Sequence, residues 1–166
     1  MRYLIACGVL GSAALAQVSL WDYLTLYGVH LDLVLVLVLA WTMVRNLEEG
    51  IIWALIGGLC LDLLSGTPFG VFSIALVVVM ALATLVQTRV FGGGLVLPII
   101  FTFPLSLIFN GLALLLLNLL GRPTVWISAF EQILLPVAGL NTGAMAVLFP
   151  LVYLLNRRLN PQPLTF

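Results

Sequence analysis

Six long apolar runs, at residues 3–20, 31–44, 51–64, 68–87, 95–120 and 133–155, occupy most of this 166-residue chain and are divided only by short polar breaks. Apolar residues make up 63% of the sequence and charged residues 7%, with a mean hydropathy of +1.27. A water-soluble domain carries about a quarter charged residues, so too little polar surface exists here to cover a soluble globule. Six bilayer-spanning helices of roughly 20 residues would take about 120 residues, which leaves no room within residues 1–166 for a separate soluble catalytic or nucleic-acid-binding domain. The expected fold is a single all-α integral membrane domain, a six-transmembrane-helix bundle.

Missing residue types narrow the chemistry. There is no lysine, so neither a Schiff-base nor a phosphate-loop lysine is present in this sequence. Gly92-Gly93-Gly94 therefore reads as a flexible turn. One histidine, His30, is too few for a histidine-rich metal site. Cys7 and Cys60 sit in apolar runs, where a thiol behaves as a small hydrophobe. Six acids balance six arginines, and zero net charge gives no argument for a nucleic-acid partner. No cofactor is expected.

The first run follows Met1-Arg2 and reads as a helix that stays, because more membrane segments follow it. Gly8, Ser12 and Ala16 recur on it at four-residue spacing, which predicts a face for close helix contact. The second and third runs hold about 14 residues, near 21 Å of helix, less than the hydrocarbon thickness. They span by recruiting flanking residues, lie inside the bundle, or form a re-entrant hairpin. Between them, Arg45-Asn46-Leu47-Glu48-Glu49 is the most charged stretch. Gly66, Thr67 and Pro68 predict a helix stop, an N-cap and a helix start, so the fourth helix is placed from Pro68. With six spans, Arg2, Arg45, Arg89, Arg157 and Arg158 fall on one side and Arg122 on the other. That asymmetry predicts cytoplasmic termini.

Acids inside spans are functional candidates by default. Asp32 opens the second run, where the helix dipole favours it, and is expected to be a helix-start charge. Asp62 closes the third run, where the dipole opposes it. It calls for compensation from the Ser65 or Gly66 N–H groups or from Arg122. Gly50, Ala54, Gly58 and Asp62 recur every four residues, a nearly bare face ending in a carboxylate. Asp62→Ala is accordingly expected to do more harm than Asp32→Ala. An aspartyl dyad is disfavoured, because Gly58-Leu59-Cys60-Leu61-Asp62 lacks the Gly-x-Gly-Asp context of intramembrane aspartyl proteases. Asn110, Asn118 and Asn141 are mid-span amides suited to interhelical hydrogen bonds, and Gln17 and Gln132 are expected near the interfaces. Gly139, Gly143 and Val147 give the sixth helix another packing face. No polar site is expected to converge, and catalytic residues are expected to be none.

The block from Gly57 through Asp62 and Ser65-Gly66-Thr67-Pro68-Phe69 to Gly70 resembles the central signature of the MreD family of rod shape-determining membrane proteins. His30-Leu31-Asp32-Leu33-Val34-Leu35 resembles the family's Pro-Asp-Leu start of helix two, with His30 where proline is commoner. The strong match covers residues 30–75. The resemblance implies a non-enzymatic scaffold subunit of the bacterial elongation machinery, in the inner membrane. Such a subunit binds MreC and acts through it with MreB, RodA and its penicillin-binding transpeptidase in lateral peptidoglycan synthesis. Asp32, Gly58, Asp62, Gly66, Pro68, Phe69 and Gly70 are the motif positions it marks as structural or partner-contacting. The family's likeness to substrate-binding subunits of energy-coupling-factor transporters supplies the alternative, a vitamin-capture subunit.

Overall fold

The computed structural model describes residues 2–19, 30–45, 47–90, 96–121 and 133–159. Among these the chain is all-helical, with α1 (Arg2–Ser19), α2 (Leu33–Val44), α3 (Leu47–Leu64), α4 (Val71–Val90), α5 (Val96–Leu119) and α6 (Leu135–Leu159). Each apolar run carries one helix. By length and composition, α5 and the Leu135–Asn156 portion of α6 are apolar enough to cross a membrane.

The short second run is explained by where α2 sits. It packs against all five other helices, which follow one another around it in the order α1, α3, α4, α5, α6. Val34, Leu35, Val36, Val38, Leu39 and Ala40 are buried. A helix surrounded by helices is apolar on every side, and α2 is that element.

The boundaries of α3, α4 and α6 depart most from the sequence expectation. Helix α3 begins at Leu47, so Glu48 and Glu49 lie in its first turn rather than in a link. There the acids meet the positive end of the helix dipole, and Glu49 pairs with Arg45 at 3.6 Å. Helix α4 begins at Val71, not Pro68. Helix α6 runs on to Leu159, through Arg157 and Arg158, where the dipole favours cations. Pro150 lies inside α6 and Pro104 inside α5.

The bare face of α3 lies against its neighbours. A Cβ on Gly58 would collide with the Ser73 backbone of α4, one on Gly50 would meet Met80 and Thr42, and Ala54 is buried. The other two small-residue faces point the opposite way. Helix α1 buries Ala6, Leu10, Ala14 and Gln17, leaving Gly8 and Ser12 exposed. Gly139 and Gly143 have open space beside them, and Val147 is exposed. Four-residue spacing defines a face without fixing its direction, and here the larger side chains fill the interior.

Candidate functional site

Asp32 stands just before α2, but its side chain makes no capping bond to that helix. It is buried, and it turns toward α1, α5 and α6. Its Oδ2 accepts from Asn110 Nδ2 and from Asn141 Nδ2, both at 3.0 Å. Its Oδ1 accepts a longer bond, 3.5 Å, from Gln17 Nε2. Asp32 thus stands at the N-terminus of α2 as expected, but its carboxylate is held by amides of three other helices. In a bundle interior the carboxylate gains more from three amide donors than from the end of its own helix.

The amides are themselves engaged beyond the carboxylate. Asn141 Oδ1 accepts the Asp32 backbone N–H at 2.9 Å, and its Nδ2 donates also to Ser106 Oγ at 2.7 Å. Asn110 Nδ2 donates to the Ser106 carbonyl as well, at 3.2 Å. Gln17 Oε1 accepts the Val34 N–H at 3.2 Å, satisfying one of the donors left open in the first turn of α2. An amide nitrogen carries two donors and its oxygen two acceptor sites. Both donors on each asparagine therefore have partners. Gln17, Asp32, Ser106 and Asn141 are buried, and Asn110 is half-buried.

This cluster corrects two expectations. A convergent polar site does exist, and Gln17 belongs to it rather than to an interface. Asn118 lies apart, near the end of α5, where its carbonyl accepts the Gly121 N–H at 3.1 Å. Gln132, Arg122 and the Gly92–Gly94 turn lie outside the described residues.

Asp62 is the second centre. Its Oδ2 accepts from the Gly70 and Ser73 N–H groups at 3.0 and 3.2 Å and from Ser73 Oγ at 2.6 Å. Its Oδ1 accepts the Phe72 N–H at 2.9 Å. The compensation thus comes from the first turn of α4, not from Ser65 or Gly66. The dipole at the end of α3 opposes the acid, and the start of α4 favours it. Asp62 is the cap that Thr67 was expected to supply. Thr67 instead pairs its hydroxyl with that of Ser65 at 2.8 Å. Gly66 and Gly70 adopt φ values of +63° and +100°, which side chains disfavour, and Pro68 stands between them.

Phe69 is 69% exposed at the tip of this turn. Gly58, four residues before Asp62, lets α4 approach closely enough for the Ser73 contacts. The two carboxylates share no hydrogen-bond partner, so they do not form a dyad of the proton-sharing kind. Among the described residues, no three of His, Cys, Asp and Glu gather closely enough to hold a metal ion. His30, two residues before Asp32, is half-buried.

Compared with known proteins, residues 3–159 match the family model for rod shape-determining protein MreD. No curated protein and no solved structure matches the chain.

Proposed function

The chain belongs to the MreD family of rod shape-determining proteins, and from that membership we propose a six-span, non-enzymatic scaffold of the bacterial inner membrane. It binds MreC, with MreB, RodA and the penicillin-binding transpeptidase engaged through MreC. Both termini lie in the cytoplasm, as the arginine distribution favours.

The observation that carries this reading is the internal pairing of the Asp32 cluster, in which both donors of Asn110 and of Asn141 are taken. A reacting centre needs groups with hydrogen-bonding capacity left for a substrate. Here the amide donors are spent on the carboxylate and on Ser106, which makes the cluster a fastener of α1, α2, α5 and α6. Depth strengthens the point. The 12 residues of α2 separate Asp32 from Arg45, about 18 Å of helix. With Arg45 at one surface, the carboxylate falls well short of the far side of a hydrocarbon layer about 30 Å thick. An acid at that depth must be satisfied by protein, and once satisfied it fixes the arrangement of its helices. A bundle held in one arrangement suits a subunit whose task is to be gripped by neighbours.

Co-expression with MreC, detergent extraction and pull-down test the proposal, with proteins and small molecules both identified by mass spectrometry. MreC is expected in stoichiometric amount, and to be retained when the outward Leu15 is changed to Ala. Recovery of a coupling ATPase and a bound vitamin-like molecule in place of MreC would favour the capture-subunit alternative. Reporter fusions placing the two termini on opposite faces would overturn the six-span topology.

A further inference from the structure

The α3–α4 turn is built like a segment that does not meet water. Its one charged residue between Leu61 and Ser73 is Asp62, whose carboxylate is buried under four hydrogen bonds. The Ser65 and Thr67 hydroxyls face each other. What the turn presents outward is apolar: Leu63 is 72% exposed and Phe69 69%. Leu119 and Leu120, at the end of the α5 helix that packs beside α4, are exposed too.

The other end of α3 supplies a ruler. The Arg45 guanidinium lies over the Trp41 ring at 5.5 Å, and Trp41 stacks on Trp53 at 4.3 Å. Arg45 with Glu48 and Glu49 marks the headgroup level at this end, since charges avoid hydrocarbon. Helix α3 has 18 residues, about 27 Å at ~1.5 Å per residue. Even with Glu48 in the headgroups, α3 is too short to lift its far end clear of hydrocarbon about 30 Å thick.

We infer that the Gly66–Gly70 turn is sunk at or below the acyl boundary of the leaflet opposite Arg45, with Phe69 and Leu63 against lipid chains. The inference rests on the proposal that α3 spans. Lipid is the occupant because a protein-binding surface carries a polar rim around its apolar centre, and this turn spends its one carboxylate and its Ser65 and Thr67 hydroxyls on internal hydrogen bonds. Backbone that enters the hydrocarbon edge needs such internal pairing, and the two glycines and Pro68 hold the phenyl ring outward.

Site-directed spin labelling tests it. Single cysteines replace Phe69, Leu63 or Glu48 in a chain whose Cys7 and Cys60 are changed to Ala, reconstituted in phosphatidylethanolamine–phosphatidylglycerol vesicles. Power saturation compares access by oxygen, which concentrates in lipid, with access by a water-soluble nickel chelate. The oxygen-to-nickel ratio is expected to be at least several-fold higher at positions 69 and 63 than at 48. Preferential nickel access at 69 and 63 would overturn the inference by placing the turn in water. Exclusion of both reagents there would overturn it by showing protein cover, including a second copy. A lipid-like ratio at position 48 would instead remove the spanning premise, which separates the two failures.

Discussion

Asn141 holds Asp32 from two sides at once, accepting its backbone N–H at 2.9 Å and donating to its carboxylate at 3.0 Å. The pair joins α6 to the start of α2 across 109 residues of chain, and neither group can be replaced without stranding the other. Asn141→Asp is expected to be worse than Asn141→Ala, because it sets a second carboxylate against the first. Combining Asn141→Asp with Asp32→Asn restores an amide facing an acid and should recover part of the loss. Thermal unfolding in detergent of the unchanged chain, Asn141→Asp, Asp32→Asn and their combination, treated as a double-mutant cycle, checks this, with Asn141→Ala alongside. Additive losses would mean the pair is not coupled.

The two acids should differ in the reach of the damage their loss causes. Asp32→Ala strands donors from three helices, each worth about 1 kcal/mol or less in a membrane, for a combined loss of about 2 kcal/mol. Asp62→Ala strands four donors, by the same reckoning a loss of about 2 kcal/mol, confined to the start of α4. Hydrogen exchange separates them. Asp62→Ala should speed exchange at the Gly70, Phe72 and Ser73 amides alone, while Asp32→Ala should leave those slow and expose the Val34 amide, whose acceptor Gln17 loses its partner.

Hydropathy made the six helices legible because lipid leaves a chain few choices: every run of this length must pair its backbone internally. The α3–α4 turn was legible in outline, since Asp62, Gly66 and Gly70 lie close in sequence. The start of α4, its cap and the donors to Asp62 were missed together, because the helix begins three residues later than Pro68. The Asp32 cluster was not legible by such local reasoning. Its amides come from 15, 78 and 109 residues away, and dipole arguments see only one helix. A signal was nonetheless present. Gln17, Asn110 and Asn141 each interrupt an apolar run, and polar groups in separate spans that cannot reach water have reason to meet one another.

Glycine positions offer a test of which small-residue faces pack within the chain. Gly58→Ala forces a Cβ into the Ser73 backbone, so α3 and α4 must separate and the Asp62 bonds lengthen. A loss of about 2 kcal/mol is expected, in the range for overpacking a core. Gly143→Ala places its Cβ in open space and should leave stability unchanged or slightly raised, since alanine favours helix. Unfolding midpoints in detergent compare the two. Equal losses would mean that the outward face of α6 is packed within the chain.

The positive-φ glycines of the α3–α4 turn should also respond unequally. Gly66, at φ +63°, lies where asparagine is tolerated, and a Cβ there meets nothing within 4 Å. Gly66→Asn should therefore lose only a few tenths of a kcal/mol relative to glycine, while Gly66→Val loses about 1–2 kcal/mol. Gly70, at φ +100°, is farther from the asparagine region, and its N–H is one of the Asp62 donors. Any strain at Gly70 is thus passed directly to the cap. Gly70→Asn should weaken α4 as Asp62→Ala does, with the same fast-exchanging amides at Phe72 and Ser73. If Gly66→Asn and Gly70→Asn proved equally mild, the turn would owe its shape to Pro68 and the Ser65–Thr67 hydroxyl pair rather than to the carboxylate behind it.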